Sequence, residues 1–124
     1  MIYTVQGAPL YAYTGGKTFD PQKPTVVFIH GVLNDHSVWI LQSRHFANHG
    51  WNVLAIDLPG HGRSGGNAPA SVQSAALSVI ALLDAAGVSK AVLMGHSFGS
   101  LIALHAAAEH PSRVSQLGMV GTAY

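Results

Sequence analysis

The sequence predicts an α/β fold, a mainly parallel sheet of about six strands with helices on its faces. Segments that read as strands and helices alternate through most of the chain, giving three strand–helix–strand units in succession. The strand-like runs are continuously apolar rather than alternating, which marks strands buried on both faces, as in a parallel sheet. Gly95-His96-Ser97-Phe98-Gly99 stands between one such run and an alanine- and leucine-rich segment of helical length.

In chain order, Ile2 to Gln6 and Leu10 to Thr14 read as two short strands. Gly7-Ala8-Pro9 between them is turn chemistry and predicts a hairpin. A polar, proline-bearing loop follows, and then Thr25 to His30 is a β-branched and aromatic run. His30-Gly31-Val32-Leu33-Asn34-Asp35 is the loop at that strand's end, with Asp35 or Ser37 available to cap a helix. The helix is expected from Val38 to His49, with Trp39, Leu41 and Phe46 for its apolar side and Gly50 ending it.

Asn52 to Asp57 is the next strand, and Leu58 to Gly66 is a glycine-rich loop. Ser71 to Ala86 is the best-patterned helix: Val72, Ala76, Val79, Ile80 and Leu83 share a face, most of the serines lie elsewhere, and Gly87 closes it. Lys90 to Met94 reads as a strand and Ser100 to His110 as a helix stopped by His110-Pro111. Val114 to Val120 is one more strand. Such units connect through right-handed crossovers.

Composition narrows the function. The chain has 124 residues, 48% hydrophobic and 9% charged, which suits one domain (residues 1–124) with a real core and excludes disorder. Net charge is +1, so there is no nucleic-acid footprint. The absence of cysteine excludes disulfides, thiolate catalysis and zinc–cysteine sites. No basic region followed by an apolar core opens the chain, and no apolar run reaches membrane-spanning length. A soluble cytoplasmic protein without membrane or nucleic-acid partners is the expectation.

Strand, sharp turn and helix are the context in which G-x-S-x-G becomes a nucleophile elbow. Ser97 is then held in a strained conformation that drives its hydroxyl into a cleft, while Gly95 and Gly99 let strand and helix approach. Gly60-His61-Gly62-Arg63-Ser64-Gly65 is a rival signal, since G-x-G-x-x-G after a strand is a dinucleotide fingerprint. It fails on context: the loop runs on through Gly66-Asn67-Ala68-Pro69, and Asp84, the nearest acid at the right distance, lies in a predicted helix. Among the eight histidines, His45 and His49 are four apart without the glutamate of H-E-x-x-H, and His105, Glu109 and His110 cluster at a helix end. Spacing places no third ligand, so neither a metal nor a cofactor is expected.

His30-Gly31, Asp57-Leu58-Pro59-Gly60-His61-Gly62-Arg63-Ser64 and Gly95-His96-Ser97-Phe98-Gly99 together resemble the α/β-hydrolase fold family, in its order and contexts. Val120-Gly121-Thr122-Ala123 is similar to the family's sixth strand. The resemblance implies that Ser97 is the nucleophile of acyl transfer from a small-molecule acyl substrate. It implies an oxyanion hole made by the backbone N–H groups of Val32 and Phe98. His30, Gly31, Gly95, His96 and Gly99 would support elbow and loop, with His96 packing beneath the elbow rather than serving as base. Asp57 would support the Pro59–Gly62 turn rather than act as the triad acid. Serine at the elbow points to ester or thioester hydrolysis, because epoxide opening and dehalogenation in the resembled family use aspartate there.

The family order is Ser, then acid, then His. Only 25 residues follow Gly99, and they are taken up by one helix and one strand. Glu109 is the one acid among them, and His105 and His110 share its helix. The triad therefore reads as incomplete, and the chain as the N-terminal half of the fold, with no cap or later strands. A non-catalytic module that keeps the cleft for a ligand or partner is the alternative. An uncovered sheet edge would favour self-association or a missing C-terminal part.

Overall fold

The computed structural model describes residues 1–121. Its strands are β1 (Ile2–Val5), β2 (Ala8–Tyr13), β3 (Thr25–Ile29), β4 (Asn52–Ile56), β5 (Ala91–His96) and β6 (Val114–Val120). They form one sheet in the order β1-β2-β4-β3-β5-β6. The last four positions are mutually parallel, and the β1–β2 hairpin joins β4 antiparallel. The helices are α1 (Ile40–Ala47), α2 (Val72–Ala86) and α3 (Phe98–Glu109), with 3-10 turns at His36–Trp39 and Pro111–Arg113.

Continuous hydrophobicity has its expected cause. Every residue of β3 and β4 is buried, because both faces of the central strands are covered. Val27, Ile29, Leu54, Ile56 and Leu93 belong to one core with Val79, Leu82 and Leu83 of α2 and Ile102 of α3. Val26, Phe28, Val53 and Ala55 belong to the other, with Trp39 and Ala47. Phe28 has no exposed surface, and its ring lies 4.9 Å from that of Trp39 and 5.5 Å from that of Phe46.

Several elements differ from the expectation in bounds or facing. The hairpin turn is Gln6-Gly7, not Gly7-Ala8-Pro9: Val5 pairs with Ala8, and both turn residues have positive φ, 52° and 80°. That is a two-residue turn whose twist suits a hairpin, and it leaves Pro9 inside β2. α1 is shorter than Val38–His49 because its first turn is 3-10, capped by Asp35, whose carboxylate accepts from the Ser37 N–H. Leu41 is 74% exposed rather than on the apolar side. Gly50 has φ 88°, but the helix stops at Ala47, two residues before its expected cap region.

α2 starts on a capping box, Ser71 with Ser74, and ends at Gly87 with φ 70°. Ser78 is buried instead of lying on the polar side, and its hydroxyl donates to the Gln6 side chain. β5 continues through Gly95 and His96, and α3 begins at Phe98, so the elbow narrows to Ser97 alone. Thr122 and Ala123, expected to end the sixth-strand motif, lie outside the described residues.

β3 is followed by β4 on one side and later by β5 on the other. The chain thus reverses its direction of sheet growth at β3, and the loops leaving β3 and β5 diverge there. Ligand crevices of open α/β sheets form at such a point, beyond the carboxyl ends of the strands. His30 to Asp35 and Ser97 sit at those two ends.

Candidate active site

Ser97 is the single residue between β5 and α3, with φ 56° and ψ −121°. A non-glycine residue in such a region costs about 1–3 kcal/mol and persists only where its surroundings enforce it. Those surroundings are visible. The Ser97 N–H donates to the Val120 carbonyl at 3.0 Å, which ties the elbow to β6. The Ser97 carbonyl accepts from the Ser100 N–H at 2.9 Å and from the Ser100 hydroxyl. A Cβ on Gly95 would fall 2.2 Å from the Gly99 carbonyl oxygen, and one on Gly99 would fall 2.3 Å from that of Ile29. Neither position tolerates a side chain, so strand, helix and the end of β3 interlock around the serine.

The β3 loop reaches the same place. A Cβ on Gly31 would lie 3.3 Å from the Ser97 Cβ. The Asn34 N–H closes a turn onto the Gly31 carbonyl at 3.2 Å, with Val32 and Leu33 at its tip. Leu33, at that tip, has φ 65° and is 91% exposed. The N–H groups of Val32 and Phe98 have no acceptor among the described residues. Phe98 opens α3, where unpaired donors and the helix dipole favour negative charge.

His30 is fully buried, and both its ring nitrogens are engaged. Nδ1–H donates to the Gly31 carbonyl at 2.6 Å, and Nε2 accepts from the Leu58 N–H at 2.9 Å. Burial pushes its pKa below the usual histidine value, outweighing the Gly31 hydrogen bond, which acts the other way. Neutral and committed at both nitrogens, His30 organises the loop and has no nitrogen left to take a proton from Ser97. His96 turns to the α1 face of the sheet, its ring edge-on to Trp39 at 6.4 Å. Its Nδ1 and the Trp39 Nε1 are buried without a partner among the described residues.

Asp57, at the end of β4, is fully buried and ties two loops together. Its Oδ1 accepts from the His36 N–H at 2.7 Å and from His36 Nδ1 at 2.8 Å. Its Oδ2 accepts from the Arg63 N–H at 2.9 Å. This is the turn support expected of Asp57. Its partner His36 escaped the sequence reading, and only its place just after the β3 loop hinted at it. With Asp35, these groups bring one ligand atom each to within 4.8 Å of one another, a cluster that histidine spacing alone did not reveal. Asp57 Oδ1 and Oδ2 are already taken up by the bonds above, and Asp35 Oδ1 by the Ser37 N–H and hydroxyl. Those bonds also hold the Asp35 carboxyl below its usual pKa.

The remaining histidines sit elsewhere. His61 donates Nδ1–H to the Pro59 carbonyl and packs 5.2 Å from His30. His45 and His49 stack on each other at 4.2 Å near the end of α1. His105 and His110 lie on α3 or at its end. At 1.5 Å per residue they are carried about 10 Å and about 18 Å along the axis from Phe98.

Comparison with known proteins settles the family. A family model described as the alpha/beta hydrolase fold matches residues 24–123. The chain belongs to the alpha/beta hydrolase fold family. Among curated relatives of this family member, Lipase LipV of Mycobacterium tuberculosis is 36% identical over 106 residues, 85% of this chain and 40% of the lipase. An epoxide hydrolase of Caballeronia sordidicola is 38% identical over 93 residues, 73% of this chain and 28% of that protein. A pimeloyl-[acyl-carrier protein] methyl ester esterase of Neisseria meningitidis is 42% identical over 93 residues, 74% of this chain and 34% of the esterase. Among solved structures, a bacterial membrane phospholipase A superposes with TM-score 0.90 at 31% identity, covering 99% of this chain and 39% of that one. The chain thus spans well under half the length of these relatives. No helix among the described residues is long and apolar enough to cross a membrane.

Proposed function

We propose that Ser97 is the nucleophile of an acyl hydrolase acting on small-molecule esters or related acyl compounds, and that its base and acid come from outside residues 1–124. The observation that carries this reading is the positive φ of Ser97 beside Gly31. Strain at a serine on a strand–helix junction, beside a loop whose Val32 N–H has no acceptor among the described residues, suits nucleophilic attack and oxyanion stabilisation. In the reaction, a base takes the Ser97 proton as Oγ bonds to the acyl carbon. Negative charge develops on the carbonyl oxygen, toward the N–H groups of Val32 and Phe98. The leaving alkoxide departs with that proton, and water then releases the acid from the acyl-enzyme. Relatives named as a lipase and a methyl ester esterase support the substrate class. The relative named as an epoxide hydrolase does not redirect the proposal, because Ser97 occupies the place where epoxide opening needs aspartate.

The alternative is a non-catalytic module that keeps the cleft for a ligand or partner. Within residues 98–121 Glu109 is the only acid, and it lies on α3 with His105, led away from the elbow. Coding sequence beyond Tyr124 separates the two readings. A downstream acid followed by a histidine supports the hydrolase, and an immediate stop supports the binding module. In a polypeptide carrying both groups, a fluorophosphonate is expected to label the protein, and Ser97→Ala is expected to abolish labelling. Labelling that survives the substitution would place the nucleophile elsewhere.

A further inference from the structure

Two histidines outside the Ser97 site lie against each other. His45 is in the last turn of α1, and His49 follows two residues after the helix ends at Ala47. Asn48 keeps helical backbone angles, φ −83° and ψ −2°, and the His49 N–H donates to the Phe46 carbonyl at 3.0 Å. The helical path thus runs on far enough to set residues 45 and 49 on one face, a turn apart. Their rings stack with centroids 4.2 Å apart and planes 25° from parallel. His49 Nδ1–H donates to the His45 carbonyl at 2.6 Å. That bond fixes the proton on Nδ1 and leaves Nε2 of His49 as the lone-pair nitrogen, the arrangement that metal-ligating histidines use. The His45 ring has no hydrogen bond among the described residues, and both residues are exposed. Arg44 is drawn aside, its Nε donating to the Tyr13 hydroxyl at 3.2 Å. Two imidazoles in contact at the negative end of a helix form a donor set suited to a transition-metal cation.

We propose that His45 and His49 bind one divalent transition-metal ion of the class that imidazole prefers, copper(II), nickel(II) or zinc(II), through Nε2 of His49 and a ring nitrogen of His45. Two such nitrogens at about 2.0–2.1 Å from a tetrahedral ion stand about 3.4 Å from each other. The His45 ring, exposed and free of hydrogen bonds, meets that requirement by rotating out of the stack. Spacing offers no third protein ligand, and at an exposed site water completes the coordination. α1 runs from the carboxyl end of β3 to the amino end of the parallel β4, so the ion lies at the opposite end of the sheet from Ser97. There it ties the last turn of α1 to the turn that enters β4, and it takes no part in acyl transfer. This inference stands independently of the functional reading.

Isothermal titration of the untagged 124-residue chain with copper(II), and separately with zinc(II) and magnesium, tests it. One tight copper site per chain is expected, with zinc held more weakly and magnesium not bound. His45→Gln and His49→Gln should each weaken copper binding about tenfold or more. His105→Gln, on α3, should leave it unchanged. Circular dichroism checks that each variant is folded. His45→Gln removes no side-chain hydrogen bond and decides should His49→Gln unfold. The absence of saturable copper binding would overturn the proposal. So would copper binding equally tight in folded His45→Gln, or weakened as much by His105→Gln, since either result places the ion elsewhere.

Discussion

The α-carbon of Gly95 lies against the backbone of Gly99, so closely that a Cβ on Gly95 would fall 2.2 Å from the Gly99 carbonyl oxygen. That oxygen belongs to the first turn of α3 and has no freedom to withdraw. Gly95→Ala is therefore expected to destabilise the fold by about 2–3 kcal/mol or more through overpacking. Urea unfolding checks it. A loss under about 0.5 kcal/mol, the range of an ordinary surface substitution, would mean that the junction is not held as tightly as described.

Ser97 carries backbone strain that glycine would relieve. Ser97→Gly should raise stability by up to about 1 kcal/mol, because φ 56° is accessible to glycine at no steric cost. Ser97→Ala retains the Cβ and should change stability little. A thermal melt of the three proteins side by side reads the difference. A glycine variant less stable than the alanine variant would show that the serine is unstrained.

His30 links stability to pH. Its folded pKa lies below that of the unfolded chain, so the unfolded chain binds more protons between the two values. Stability is present in full above the unfolded value, about 6.5, and falls as pH drops through it. The urea midpoint should decline between pH 7.5 and 5.5, and the decline should be smaller in His30→Asn even though that variant is less stable throughout. An equal decline in both proteins would assign the effect to other histidines.

Asp57 is a support, and its removal should act on folding. Asp57→Ala strands the N–H groups of His36 and Arg63 together with the His36 side chain, at a cost of about 3 kcal/mol or more. Asp57→Asn keeps an acceptor and should cost less. Chemical denaturation ranks the two, and a fully stable Asp57→Ala would remove Asp57 from the framework of the site.

The sheet was legible because its strands are buried on both faces. Residues 26–29 and 53–56 read as uninterrupted apolar runs, short enough for strands and bounded by polar or turn residues. Ser97 was legible through its two glycines, whose absence of side chains is a steric necessity at the junction. What escaped depended on long-range contacts. Leu41 looks apolar at helical spacing, but the 3-10 turn ahead of α1 rotates it outward, and Ser78 is drawn inward by Gln6 from the hairpin turn. His36 gains its meaning from a carboxylate 21 positions away, a pairing that no local pattern announces.

Turnover of p-nitrophenyl acetate by the 124-residue chain, beside Ser97→Ala, tests the central claim most directly. An oxyanion hole and binding alone can leave about 10³–10⁴-fold acceleration over water in serine hydrolases that lack a triad member. Without a base to take its proton, Ser97 should contribute nothing to that remainder. Both proteins are expected to turn over the ester at similar rates close to background. Robust turnover by the chain, abolished in Ser97→Ala, would contradict this and show that a base within residues 1–124, or on a second copy, reaches the serine.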